Sequence, residues 1–389
     1  MKYQLPLIGF ITALLAACGG GGDSTSVVDT CSELNSESFD CATSLQAVNS
    51  EVVSTIANLE TSLITLSTSV DAYCADITDA GLLATAQSDL NTALASVQQL
   101  EVMQFGPYAD VRDDFYAWPS NSTCRVDEQV AIAADADISS IDSGKRGLTS
   151  IEYILNSNDV AMECGSLTNV SNWIAVTNIS ERRDARCGYA KRIIDDLEMK
   201  VASLESDQTA FDFEAAFETL QQGANSISNA LFYIDTETKD VKVKAALPQL
   251  TTESFDASKL ESQYAHISKE NIENNLLGAK AVLEAGLDDY LIVKGQESLA
   301  TEMIQAIDGA LANIAEIEGA LNDAVLAAGV TAEECINLGS TGSYDTDSSD
   351  LEAYCALQWN IKTFTDLLKN DFVLALSFST PATADGDND

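Results

Sequence analysis

Residues 45–77 read LQAVNSEVVSTIANLETSLITLSTSVDAYCADI, and the reading of this stretch decides the fold. Its apolar side chains stand at Leu45, Val48, Val52, Ile56, Leu59, Leu63, Leu66, Val70, Tyr73 and Ile77, spaced 3, 4, 4, 3, 4, 3, 4, 3 and 4 apart. Steps of three and four keep the apolar groups on one face of a 3.6-residue turn, so the spacing predicts one long amphipathic helix. No glycine or proline interrupts it. Thr78-Asp79-Ala80-Gly81 then supplies a turn with capping side chains. A second stripe follows at Leu83, Ala86, Leu90, Leu94 and Val97, with Glu101 as a polar interruption before Phe105. Two long helices joined by so short a link pack as antiparallel neighbours.

Outward from this pair the pattern breaks at Phe105-Gly106-Pro107 and again at Trp118-Pro119. Residues 125–155 read as helix, irregular turn and helix, with Gly144-Lys145-Arg146-Gly147 at the turn. Residues 185–206 and 209–234 are helical again. The mixed stretch 235–247 predicts a short hairpin or an extended turn, and Pro248 marks a boundary. Beyond it, 267–283 is one helical stretch and 351–376 the last. Between them Leu299, Met303, Ile307, Leu311, Ile314, Ile317, Leu321 and Val325 form a single clean stripe. The expected architecture is all-α. Two helical-bundle halves, 41–247 and 248–380, carry irregular helix breaks and few or no strands, and an acidic tail covers 381–389.

The chain has 389 residues, with 61 Asp or Glu against 20 Lys or Arg, a formal charge of 20 − 61 = −41. Binding to nucleic acid is excluded, because a phosphate backbone needs a basic footprint. With 46% hydrophobic residues the chain can bury a core. His266 is the single histidine, which excludes a multi-His metal site within one chain, HExxH peptidases included. CxxC, GxSxG, a phosphate-binding glycine loop and a dinucleotide fingerprint are all missing. The acidic run 345–352 lacks the Gly and Glu of an EF-hand loop and reads as solvated.

Lys2 precedes an apolar run at 5–15 that is too short to span a bilayer. It ends in Leu15-Ala16-Ala17-Cys18, which resembles a bacterial lipobox. The expectation is a signal peptide at 1–17, a lipidated Cys18, and a flexible tether over 18–40 that opens with Gly19-Gly20-Gly21-Gly22. Residue 19 is Gly rather than Asp, so by resemblance the chain is expected in the bacterial cell envelope, lipid-anchored at the outer membrane. Eight further cysteines in an oxidising compartment predict disulfides. The expected pairs are Cys164–Cys187 and Cys335–Cys355, each closing a loop of about twenty residues. Cys74–Cys124 and Cys31–Cys41 are the further pairs expected.

Several stretches occur in a distinctive order. They are Phe105-Gly106-Pro107; Trp118-Pro119 with Arg125-Val126-Asp127; Arg146-Gly147-Leu148-Thr149-Ser150-Ile151-Glu152-Tyr153; and Arg186-Cys187-Gly188-Tyr189-Ala190. Glu261-Ser262 with His266, Asn275-Leu276-Leu277-Gly278, Gly286-Leu287-Asp288-Asp289 and Asp385-Gly386-Asp387 follow. Taken as an ordered set over about residues 42–387, they resemble the imelysin family, insulin-cleaving membrane proteases and imelysin-like iron-regulated proteins. The resemblance implies an all-helical protein of two bundle-like halves with a site where they meet. The family signature is GxHxxE. Gly147 and Glu152 match it, whereas Thr149 occupies the histidine position.

The resemblance singles out Gly147, Thr149, Glu152, Arg125, Asp127, Arg146, Glu261 and His266 as the ligand-binding set. Glu152 reads either as a carboxylate in a polar pocket, holding a metal or taking protons, or as a helix-surface residue. Arg112, Arg125, Asp127 and Arg146 read as an anion-binding group or as a structural ion-pair network at the helix break. His266 reads as a metal ligand that completes a site with Glu152 across the halves, or as a structural or exposed residue. The cofactor implied is a divalent metal or iron. The expected function is a non-enzymatic exported lipoprotein that binds a ligand or metal between its halves, in a role linked to iron uptake and its components. The alternatives are an imelysin-type peptidase and an interaction protein with a vestigial site. Thr149 argues against the peptidase, since metal-assisted hydrolysis needs fixed ligands for an activated water.

Overall fold

The computed structural model describes residues 29–132, 137–157, 179–327, 329–344, 348–381 and 384. The decisive stretch forms α1, Cys41–Ala75, capped by the Asp40 carboxylate, which accepts from the Thr43 amide at 2.8 Å. From Leu45 to Tyr73 every apolar position of the stripe is buried, and polar side chains such as Gln46, Ser50, Ser54, Asn58, Thr61 and Thr65 look outward. The turn at 76–79 leads into α2, Ala80–Leu100, where Asp79 caps the Gly81 and Leu82 amides. Glu101, the polar interruption, lies just past the end of α2 and is buried.

Gly106 at φ +60° and Pro107 start α3, Pro107–Phe115. Then follow α4, Thr123–Ile132, and α5, Leu148–Asn156. Gly147 enters α5 at φ +84°, and a Cβ there would stand 2.9 Å from the Phe115 carbonyl oxygen, so glycine is required on both counts. The long helix α6, Ile179–Thr209, runs antiparallel to α1. Its start is bridged to the end of α1 by Cys74–Cys187, and Gln208 near its end meets Asn49 near the start of α1 at 2.7 Å. After α7, Leu220–Leu231, the chain enters α8, Ile234–Val243, a wide-turned π-helix.

The hairpin or extended turn expected over 235–247 is therefore helical. Asp235 and Lys239 pair at 3.0 Å one turn apart, and Lys242 finds a buried partner, so the polar residues that spoil the apolar pattern are satisfied inside the core. The rest is α9, Ser268–Val282; α10, Asp288–Val293; α11, Glu297–Ala315; α12, Leu321–Leu326; α13, Ala332–Thr341; and α14, Asp350–Asp366, which continues through further turns to Ala375. The stripe expected to run unbroken to Val325 is split at 316–320. There the Asp350 carboxylate takes the Glu318 and Gly319 amides at 3.0 and 2.9 Å and draws the chain away from helical geometry.

The protein is all-α, with no strand among the described residues. One continuous apolar core runs through both halves: α9 lies on α2, and the turn 283–287 lies on α1. Helix α8 precedes the boundary expected at 247/248 yet packs against α9 and α14 beyond it. Residues 29–40, assigned above to the tether, are held to the body. Cys31 is buried and bonded to Cys41, Phe39 stacks on Tyr290, and Asp29 accepts from the Leu220 and Gln221 amides at 3.1 Å.

The bridges Cys31–Cys41 and Cys335–Cys355 are formed. Cys187 pairs with Cys74 rather than Cys164, because the antiparallel packing of α1 on α6 sets those two side chains opposite each other. The same bond rules out Cys74–Cys124, and Cys124 is itself disulfide-bonded. The signal peptide, Cys18, Cys164 and the tail 385–389 lie outside the described residues. No described helix is long and apolar enough to cross a membrane.

Candidate functional site

Helix α5 is buried along its length, and Thr149 and Glu152 lie one turn apart on one face. That face meets the non-helical segment 260–265, which the second half contributes, and the Trp118-Pro119 break from the first. Between them opens a cleft of about 730 Å³, lined among others by Trp118, Thr149, Glu152, Glu261, Gln263 and Tyr264. Glu152 is 5% exposed and accepts from the Ala265 and Tyr264 amides at 3.2 and 3.4 Å. Burial, with Glu261 nearby, pushes its carboxyl up to about 7 against the lowering effect of those amides and of the Ser262 hydroxyl. Thr149 is 3% exposed, and its Oγ1 has no hydrogen-bond partner among the described residues.

Glu261 is differently placed. Its carboxylate accepts from Tyr116 Oη at 2.7 Å, Asn271 Nδ2 at 3.0 Å and Gln98 Nε2 at 3.1 Å, and pairs with Lys242 Nζ at 2.9 Å. Lys242 also donates to Gln98 Oε1 at 2.6 Å and Asn275 Oδ1 at 2.9 Å. Its ammonium stands 5.8 and 5.3 Å from the Trp118 and Tyr233 ring centroids. The network ties α2, α8, α9 and the 260–265 segment together beside the cleft. Sequence reasoning missed Gln98, Tyr116 and Lys242. The available signal was a lysine amid apolar neighbours in a chain poor in basic residues.

The other expected site residues lie elsewhere. Arg112 pairs with Glu101, which also accepts from Tyr233 Oη, and it borders a separate cavity of about 520 Å³ on the far side of Trp118. Arg125 is half-exposed and pairs with Glu128 at 2.7 Å. Asp127 accepts from Tyr153 Oη at 2.7 Å and pairs with Arg186 at 2.9 Å. Arg146 bonds Asp114, Asp196 and the Ile141 carbonyl. These contacts match the ion-pair network weighed above; none of the four residues is among those lining the cleft. Gly147 contributes the bend before α5.

His266 follows the amides that hold Glu152, at φ +57°, with its own amide bonded to the Ser262 carbonyl at 3.1 Å. Its side chain is exposed and is not part of the cleft lining. The expected Glu152–His266 pair is therefore not assembled. Glu261 cannot replace the imidazole as a metal ligand, because the Lys242 ammonium already holds the place a cation would take. Among the described residues no three His, Cys, Asp or Glu side chains are grouped to hold a metal ion. The donor set does not fit the metal that the family signature implies.

A family model described as Imelysin matches residues 52–335. Similar solved structures include an imelysin-like protein from Psychrobacter arcticum 273-4. It shares 14% identity at a TM-score of 0.62, covering 88% of this chain and 98% of that one. Another is a putative iron-regulated protein A precursor from Parabacteroides distasonis ATCC 8503, with 16% identity and a TM-score of 0.56, covering 86% and 97%. At these identities the likeness is one of fold. Among curated proteins no match was found.

Proposed function

The chain belongs to the imelysin family, and from that premise we propose an exported, lipid-anchored binding protein that takes a ligand at Thr149 and Glu152 without hydrolysing it. The observation that carries this reading is the pair of buried polar groups at the cleft floor. Among the described residues the Thr149 hydroxyl has no hydrogen-bond partner, and Glu152 has two backbone amides and the Ser262 hydroxyl but no ion-pair partner. Buried polar groups are almost always satisfied, and both residues line the cleft, so a ligand bound there can supply the partners they lack. The exposed imidazole of His266 and the pairing of Glu261 with Lys242 leave Glu152 without the fixed metal ligands that metal-assisted hydrolysis needs, which supports binding over hydrolysis.

One protein of similar structure is a putative iron-regulated protein A precursor, which supports an iron-linked role and export. Leu15-Ala16-Ala17-Cys18 supports lipidation at Cys18 and outer-membrane residence, and on the iron-linked reading its partners are iron-uptake components. The test is complementation under iron limitation. Cells lacking the protein take up less iron; the wild type restores uptake, and Glu152→Gln and Cys18→Ser do not. Glu152-dependent cleavage of peptides by the purified protein would overturn the binding reading in favour of a peptidase.

A further inference from the structure

We propose that the cleft receives the ammonium group of a small organic cation, held by the Glu152 carboxylate, Thr149 Oγ1 and Gln263 Oε1, with its apolar part along Trp118 and Tyr264. This deepens the binding reading above and rests on it. The argument starts from what the floor offers. Glu152 is 5% exposed, takes two backbone amides on Oε1 and the Ser262 hydroxyl, and has no ion-pair partner among the described residues. Nearby Glu261 shows how this fold treats a buried acid when the partner is internal: it supplies Lys242 at 2.9 Å. Beside Glu152 that counter-charge is not supplied, and the carboxylate borders the cleft.

The other polar groups are acceptors. Gln263 spends its amide hydrogens on the Ala257 and Leu260 carbonyls, at 2.8 and 2.5 Å, which leaves Oε1 as the unspent atom. Thr149 is 97% buried, and its Oγ1, without a hydrogen-bond partner among the described residues, can accept as well as donate. An anion would face a carboxylate at the floor. A neutral alcohol would satisfy one acceptor and leave the charge desolvated. A primary ammonium carries three donors, one for each acceptor, and neutralises the carboxylate. The aromatic faces of Trp118 and Tyr264 suit its carbon frame and favour a nearby cation. Lys259 also borders the cleft but is exposed, where its charge is screened. The net charge of −41 draws cations toward the molecule and repels anions.

The test is calorimetric titration of the chain with benzylammonium, benzyl alcohol and benzoate at pH 8, where Glu152 is mostly ionised, and at about 0.15 M salt so that diffuse attraction to the acidic surface is screened. The expected result is one saturable site for benzylammonium, at least tenfold tighter than for benzyl alcohol, with benzoate not bound. Glu152→Gln and Thr149→Val each weaken benzylammonium, Glu152→Gln by tenfold or more. The discrimination among the three probes uses the wild type alone, so it stands even if a variant misfolds. Benzyl alcohol or benzoate binding as tightly as benzylammonium, or undiminished binding to folded Glu152→Gln, overturns the ammonium assignment and leaves the cleft as a binding site. If none of the three binds the folded wild type, the ammonium assignment is overturned; the binding reading itself falls only if Glu152→Gln also restores iron uptake in cells.

Discussion

Lys242 and Glu261 form an ion pair of 2.9 Å in which neither side chain is more than 1% exposed. It joins α8 to the segment that forms one wall of the cleft. A buried pair contributes little over a well-packed apolar substitute, but removing one partner strands the other charge. Lys242→Met should therefore destabilise the protein by about 3–5 kcal/mol, and Lys242→Met with Glu261→Gln by clearly less than the sum of the single changes. Urea unfolding of the four proteins in the cycle measures this. Additive losses would mean that the pair is not coupled.

Glu152 gives a pH signature. Burial pushes its folded carboxyl up to about 7, above the ordinary glutamate value of about 4.5, so the folded state binds the proton more tightly than the unfolded chain. The associated stability is present in full below about 4.5 and is lost as pH rises through 7, amounting to about 3 kcal/mol. Glu152→Gln, which cannot ionise, should flatten that part of the stability curve and exceed the wild type in stability at pH 8. Parallel curves for the two proteins between pH 5 and 8 would show that Glu152 is not held neutral by burial.

The covalent pairing is directly readable. Non-reducing peptide mapping should recover Cys74 linked to Cys187, a separation of 113 residues, and no Cys164–Cys187 peptide. The bridge pins the end of α1 to the start of α6, so Cys74→Ser with Cys187→Ser should cost about 2–5 kcal/mol of stability.

Helix α9 comes close enough to α2 that a Cβ on Gly278 would sit 2.5 Å from the Gln99 carbonyl oxygen and 2.9 Å from its Cα. Backbone cannot yield as a side-chain end can. Gly278→Ala should thus destabilise by about 1–3 kcal/mol despite the better helix propensity of alanine. Thermal unfolding checks the sign: a rise in midpoint would mean that the helices can part without loss.

Much of this was legible in the chain. The α1 stripe needed no partner to be read, because a 3–4 spacing over ten positions has one regular solution. Thr149 and Glu152 were found through the motif at 146–153 and the resemblance it carries. The 235–247 stretch was misread because its Asp and Lys residues look like a solvated turn when their buried partners, far along the chain, are unknown. Glu101 looked like an interruption for the same reason, since Arg112 and Tyr233 answer it only in three dimensions.

By itself the sequence determined that the protein is all-α, strongly acidic, built around a long α1–α2 pair and rich in disulfides. These follow from local periodicity, composition and cysteine count. Tertiary structure alone decided that Cys187 meets Cys74, that Lys242 spends its charge on Glu261, that His266 faces solvent, and that Glu152 has no ion-pair partner among the described residues. The reason is physical: a side chain's charge, partner and exposure depend on neighbours distant in sequence, and desolvation acts only once those neighbours close around it.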